Sequence, residues 1–195
     1  MPEKHRLPPA VEWVRIAIQG RIKAGDWVMD ATAGNGHDTL FLSSLVGTGG
    51  RIFAFDIQPE AIEATRRLLD QNKVEASTYS LLLESHARAR EVLPPAALGR
   101  IACVMFNLGF LPGGDKQLTT KAHSTIEGLC AATELLARGG MLCVVAYPGH
   151  ESGKDEAEQV ERWMSALSPS HFEVQNVRAV NRLKPAPELW LALRI

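Results

Sequence analysis

From Trp27 onward the chain alternates strand-like and helix-like segments, a glycine-rich turn follows the first strand, and the last two strand-like runs have no helix between them. These three observations predict an α/β fold: a doubly wound, Rossmann-like sheet of seven strands, mostly parallel, whose last strand runs antiparallel. No linker or repeat divides the 195 residues, so a single domain over 1–195 is expected, opened by an N-terminal helix over 9–23.

Each element has its own warrant. Over Pro9–Lys23, Val11, Val14, Ile18 and Ile22 recur on one helical face. The short apolar run "DWVMDATA" then reads as the first strand, and "RIFAFDI", "YSLLLES", "IACVMFNL" and "MLCVVAYP" read as the second to fifth. Helices are expected between them near 37–46, 59–72, 86–93 and 118–137. After Pro148 the polar opening "GHESGKDEAEQ" leads into a helix ending near Leu167. The runs "HFEVQNVRAV" and "ELWLALRI" are separated only by "NRLKPAP", too short for a crossover helix, so they should pair as an antiparallel hairpin at one edge of the sheet.

Composition narrows the class. A hydrophobic content of 46% with a net charge of −1 is that of an ordinary globular protein and not of one coated in basic charge, although a local basic patch still allows RNA. No apolar run reaches membrane-spanning length, and the start "MPEKHRLPPAVEW" lacks the continuous apolar stretch of a secretory signal, so a cytoplasmic protein without a membrane partner is expected. Cys103, Cys130 and Cys143 are odd in number and lack metal-type spacing, which reads as buried free thiols and no metal site.

The stretch "MDATAGNGHDTLF" holds the most chemistry. A phosphate-binding P-loop needs Lys then Ser or Thr after its glycines, where His37 and Asp38 stand instead. A dinucleotide turn matches at Gly34 and Gly36 but has Thr39 where close helix packing calls for Gly or Ala. Asp56, ending the next strand, suits a ribose diol in either a nicotinamide cofactor or S-adenosylmethionine; capping the helix at Pro59 is its alternative use. Asp30 and Asp38 would flank a pyrophosphate unfavourably, whereas a zwitterionic methionyl group beneath a sulfonium tolerates two carboxylates. A nicotinamide-dependent oxidoreductase is therefore the lesser reading.

The loop Asp30-Ala-Thr-Ala-Gly34-Asn-Gly36 resembles the acidic-x-Gly-x-Gly-x-Gly loop of class I S-adenosylmethionine-dependent methyltransferases, with Thr32 in place of the first glycine. Together "DATAGNGHDT", "FDIQ", "SHA", "FNLGFLPGGDK" and "YPGH", in this order and from about Gly25 to the end, resemble the YtqB/MnmM family of tRNA 5-aminomethyl-2-thiouridine methyltransferases, earlier described as rRNA methylases. The resemblance implies S-adenosyl-L-methionine as cofactor and tRNA, met at its anticodon region, as partner, and it admits a homodimer. The reaction implied is N-methylation of the 5-aminomethyl group of the wobble uridine. Methylation of rRNA or of a small amine remains the alternative.

The donor would be held by Asp30, Gly34, Asn35, Gly36, His37, Asp38, Asp56, Gln58, Ser85, His86, Asn107 and Leu108. Asn107 would orient the acceptor amine, its side-chain oxygen and the Leu108 carbonyl taking the N–H bonds so that the lone pair meets the methyl group. Tyr147 and His150 flank the same edge, His150 as the candidate proton acceptor. Phe110 is a candidate for stacking on a base. Lys4, Arg6, Arg15, Arg21, Lys116, Lys121, Arg182 and Lys184 are candidates for an RNA path or plain solvated surface.

Overall fold

The computed structural model describes residues 7–109, 120–149 and 151–195. One seven-stranded sheet runs in the order β3-β2-β1-β4-β5-β7-β6, where β1 is Trp27–Asp30, β2 Arg51–Asp56, β3 Tyr79–Leu83, β4 Ile101–Asn107, β5 Leu136–Ala146, β6 Phe172–Val177 and β7 Glu188–Arg194. The pairs β1–β2, β1–β4, β2–β3 and β4–β5 are parallel, and β7 is antiparallel to both of its neighbours. The expected hairpin is present, with the last strand inserted inside the sheet and β6 left at the edge.

Both faces are covered. Along β1, Val28 points to one face and Met29 to the other, and both are fully buried, as strands flanked by crossover helices require. On one face Val14 and Ile18 of α1 (Ala10–Ile18) and Leu42 and Val46 of α2 (His37–Val46) pack over Val28, Ile52, Cys103 and Cys143. On the other, α5 (Ala122–Leu135) and α6 (Glu151–Ser165) bring Leu129, Val160 and Met164 against Met29, Phe55, Phe106 and Val144. Among the described residues the remaining α-helices are α3 (Pro59–Gln71) and the single turn α4 (Ala89–Val92).

Four expectations about the fold need correction. The first helix ends at Ile18 instead of Lys23, because Gly20 takes a left-handed φ of +85° and turns the chain, although Ile22 still reaches the core. The segment expected as a helix over 86–93 is a 3-10 turn, His86–Arg88, followed by the one turn of α4. The fifth strand begins at Leu136, directly after α5, and its register against β4 jumps from Leu136 to Met141, since Gly139 at φ +78° loops the intervening residues out. Cys103 and Cys143 are buried, but Cys130 is exposed.

Candidate functional site

The carboxyl ends of β1, β2, β3, β4 and β5 open into one cavity of about 830 Å³. Its walls come from residues 31–35, 37–38, 56–58, 84–86, 107–109, 120–121 and 124, together with Tyr147, Gly149, Pro185 and Pro187. An open sheet of this topology puts a crevice there because the helices after β1 and β4 leave toward opposite faces.

The glycine loop is built from the strand ends inward. Asp56, half-buried at the end of β2, accepts hydrogen bonds from the Gly34 amide (2.9 Å) and the Gln58 amide (3.0 Å), tying the loop to the start of α3. Each oxygen keeps a lone pair that can accept a further donor. The Thr65 hydroxyl of α3 donates to the Gly34 carbonyl at 3.1 Å. Gly36 has φ +83°, and a Cβ placed on it would lie 2.8 Å from the Thr65 Cα. Gly36 is therefore a point of close approach between the start of α2 and α3, and it does not line the cavity, contrary to its expected place among the donor contacts.

Asp30 also departs from expectation. Its carboxylate is buried and turned inward, accepting from the Thr39 hydroxyl (2.6 Å) and the Thr32 amide (3.1 Å), and it is absent from the cavity wall. Burial first, then the Asp38 carboxylate, pushes its pKa up to about 7; the Asp56 charge adds to this, and the two hydrogen bonds oppose it. Thr39, the residue that spoils a dinucleotide signature, thus serves as the partner of a buried acid.

A second network crosses the cavity floor. The Asn107 amide nitrogen of the backbone donates to the Thr32 hydroxyl at 2.7 Å. Its side-chain NH₂ donates to Asp38 at 3.3 Å, and its side-chain oxygen accepts from the Tyr147 hydroxyl at 2.9 Å. Because a carboxylate only accepts, Asp38 fixes the amide with its nitrogen toward Asp38 and its oxygen toward Tyr147. Asp38 is paired in turn with Arg15 of α1 (3.5 Å), whose guanidinium lies 5.0 Å from the centre of the Phe41 ring. Burial and the Asp38 charge raise the Tyr147 pKa, so the phenol stays protonated at neutral pH.

Of the other expected residues, Gly34, Asn35, His37, Gln58, Ser85 and Leu108 line the cavity. His86 does too, but as a buried ring: Nδ1 meets the Ala31 carbonyl at 3.0 Å, the ring stands edge-on to Phe106 at 5.2 Å, and α5 approaches it closely at Gly128. Burial lowers its pKa, which keeps it neutral. His150, Phe110, Lys116, Lys4 and Arg6 lie outside the described residues. Sequence reasoning missed Ile57, which is exposed in the cavity wall beside Asp56, and Thr120, whose hydroxyl accepts from the Gly109 amide (2.8 Å) and donates to the buried Glu156 (2.8 Å). It also missed Pro185 and Pro187, which the pairing of Glu188 with Ala146 carries to the cavity.

The Asp38 and Asp56 carboxylates in the wall make this a poor receptacle for a dianionic pyrophosphate and a suitable one for a ligand bearing positive charge. A group with a ribose diol, an apolar ring and a cationic centre fits the donor set: the Asp56 oxygens, Ile57 with Leu108, and the acidic loop. Among the described residues no group of three or more His, Cys, Asp or Glu is placed to hold a metal ion. No helix among them is long and apolar enough to cross a membrane.

Comparison with known proteins gives consistent findings. A family model described as "Putative rRNA methylase" matches residues 52–193. A chloroplastic tRNA (mnm(5)s(2)U34)-methyltransferase of Arabidopsis thaliana is 39% identical over 180 residues, covering 89% of this chain and 65% of its own length. A cobalt-precorrin-6B C(15)-methyltransferase of Saccharolobus solfataricus, described as probable, is 31% identical over 126 residues, 55% of its length, so the chain spans less than two thirds of both relatives. The crystal structure of a protein from Clostridium thermocellum described as a putative rRNA-methylase superposes with a TM-score of 0.92 at 35% identity, covering 97% of this chain and all of that one. A Streptococcus mutans protein described as a putative methyltransferase and solved with SAH gives a TM-score of 0.85 at 26% identity, with the same coverage.

Proposed function

The chain belongs to the putative rRNA methylase family, and from that premise we propose that it is an S-adenosylmethionine-dependent N-methyltransferase whose acceptor is the 5-aminomethyl group of 5-aminomethyl-2-thiouridine at the tRNA wobble position. The observation that carries the reading is the joining of two devices in one cavity. A ribose-type acceptor carboxylate, Asp56, stands across from an asparagine oxygen, that of Asn107, whose orientation is fixed on both sides.

In this reading Asp56 accepts the ribose hydroxyls, Ile57 and Leu108 flank the adenine, and Asn35, His37 and the first turn of α2 face the methionyl end. Bound S-adenosylmethionine supplies an electrophilic methyl carbon on a sulfonium. The Asn107 oxygen takes an N–H of the acceptor amine through its second lone pair and so aims the nitrogen lone pair, while Asp38 and Tyr147 keep the amide from flipping. One N–C bond forms as one C–S bond breaks, the sulfur leaves as the neutral thioether, and the proton of the alkylated amine passes to solvent. The Asp38 and Asp56 carboxylates that suit the donor also favour an approaching amine over a phosphate.

The test is methyl transfer by the purified protein, with S-adenosylmethionine, to tRNA from a strain lacking its gene, read by mass spectrometry of the nucleosides. A gain of one methyl on 5-aminomethyl-2-thiouridine is expected; transfer only to rRNA or to a small amine would remove the tRNA assignment. Asn107→Ala should leave donor affinity nearly unchanged and slow single-turnover transfer by about 10²-fold, the scale of a lost positioning group.

A further inference from the structure

The β6–β7 loop, residues 178–187, is unlike the rest of the surface. Between Glu173 and Glu188 the chain has no acidic residue, yet Arg178, Arg182 and Lys184 fall in this span, in a protein whose net charge is −1. Burial raises the Glu188 pKa, and the charge of nearby Arg178 works against that rise. Arg182 and Lys184 are exposed and take part in none of the ion pairs among the described residues. Between them Leu183 is fully exposed, and Val180 is 87% exposed. The foot of the loop is not remote from the chemistry: Pro185 and Pro187 are part of the cavity wall, and Lys121 lines the same cavity.

We propose that this loop is an RNA-docking element, with Arg182 and Lys184 against phosphates and Leu183 against the face of an unstacked base next to the nucleotide that enters the cavity. The inference rests on the RNA reading above and adds the surface that would serve it. Free cations alternating with bare apolar side chains match a single strand, which presents phosphates and unstacked base faces together. An anionic lipid surface offers the same two chemistries, but it would carry no nucleophile to the cavity that the loop borders. The closing Pro-Ala-Pro segment limits the loop's freedom where it meets the site, which lowers the ordering cost of binding.

Filter binding of total tRNA by the full chain at several salt concentrations tests this, with S-adenosylmethionine affinity by calorimetry as the control. For Arg182→Ala/Lys184→Ala the expected result is about 30-fold weaker tRNA binding near 0.1 M salt and a salt slope smaller by about 1.4, from two single-strand phosphate contacts at about 0.7 each. Leu183→Ser should weaken tRNA binding roughly fivefold with the slope unchanged. Methylation by either variant should show a raised KM for tRNA and an unaltered kcat, with donor affinity as in the wild type. If the wild type binds tRNA with a salt slope and both variants match it, the loop is not the docking element although the RNA reading stands. If the wild type binds no tRNA, both fall. Loss of binding to vesicles of phosphatidylserine, or of self-association in sedimentation, with tRNA affinity untouched would give the loop to a membrane or to a second copy and overturn the proposal.

Discussion

Gly36 and Gly20 offer a controlled comparison, because they share a left-handed φ and differ in surroundings. Their φ angles are +83° and +85°, and an alanine at either bears the left-handed cost of about 1–2 kcal/mol. At Gly20 an added Cβ has nothing within 4 Å. At Gly36 it would meet the Thr65 Cα at 2.8 Å, Oγ1 at 3.1 Å and Cβ at 3.2 Å, and a Cα cannot swing aside, so α3 must retreat from α2. Overpacking of this kind costs about 1–3 kcal/mol more. Gly36→Ala should therefore lose about 2–5 kcal/mol and Gly20→Ala about 1–2 kcal/mol, with the gain from a stiffer unfolded chain cancelling in the difference. In urea, with a slope of about 2 kcal/mol per molar, the two midpoints should separate by roughly 0.5–1.5 M. Retreat of α3 also pulls Thr65 from the Gly34 carbonyl, so Gly36→Ala should weaken donor binding and Gly20→Ala should not. Equal midpoints for the two variants would falsify the close approach as the reason for glycine at position 36.

Two further outcomes follow from carboxylates placed differently in the same loop. Asp56→Ala should weaken S-adenosylmethionine binding by about 1.5–3 kcal/mol in calorimetry, the scale of charge-assisted hydrogen bonds, and tight NADH binding without donor binding would contradict the assignment. Asp30 has its pKa raised in the folded protein from 3.8 to about 7, so the stability tied to its protonated form is full below pH 4 and is lost as pH rises through 7. Denaturation from pH 5 to 8 should show a fall of roughly 2–3 kcal/mol in the wild type beyond that in Asp30→Asn. Parallel pH curves for the two proteins would remove Asp30 as a titrating group.

The order of elements and the hairpin ending were legible because period-2 and period-3.6 patterns and a missing crossover are local properties of the chain. Much of the cavity wall was legible for the same reason, since residues that end parallel strands share one edge. The direction of a side chain at that edge was not. Asp30 and Asp56 both end strands after similar apolar runs, yet Asp30 turns to Thr39 and Asp56 to the cavity, and only the packing of α2 separates them. Pro185 and Pro187 were illegible because their place depends on β7 being inserted beside β5, a long-range pairing that no window of sequence contains. The Asn107 network was half visible: the residue was, but Asp38 and Arg15 as its supports come from α2 and α1, far away in the chain.

The position of β7 also sets the order in which the protein can come into being. Until residues 188–194 are made, β6 has no neighbour to bond, and β5 offers its outer edge, including Met141, Cys143 and Val145, to the solvent. At about 5–20 residues per second, the ribosome needs roughly 2–10 s to pass from the end of β5 to the end of β7. For that time the nascent chain carries an unpaired apolar edge of the kind that recruits other strands, which makes chaperone occupancy greatest just before synthesis of this region finishes. Docking of β7 ends the exposure and in the same event brings residues 185–187 to the cavity, so no shorter nascent chain holds a whole site.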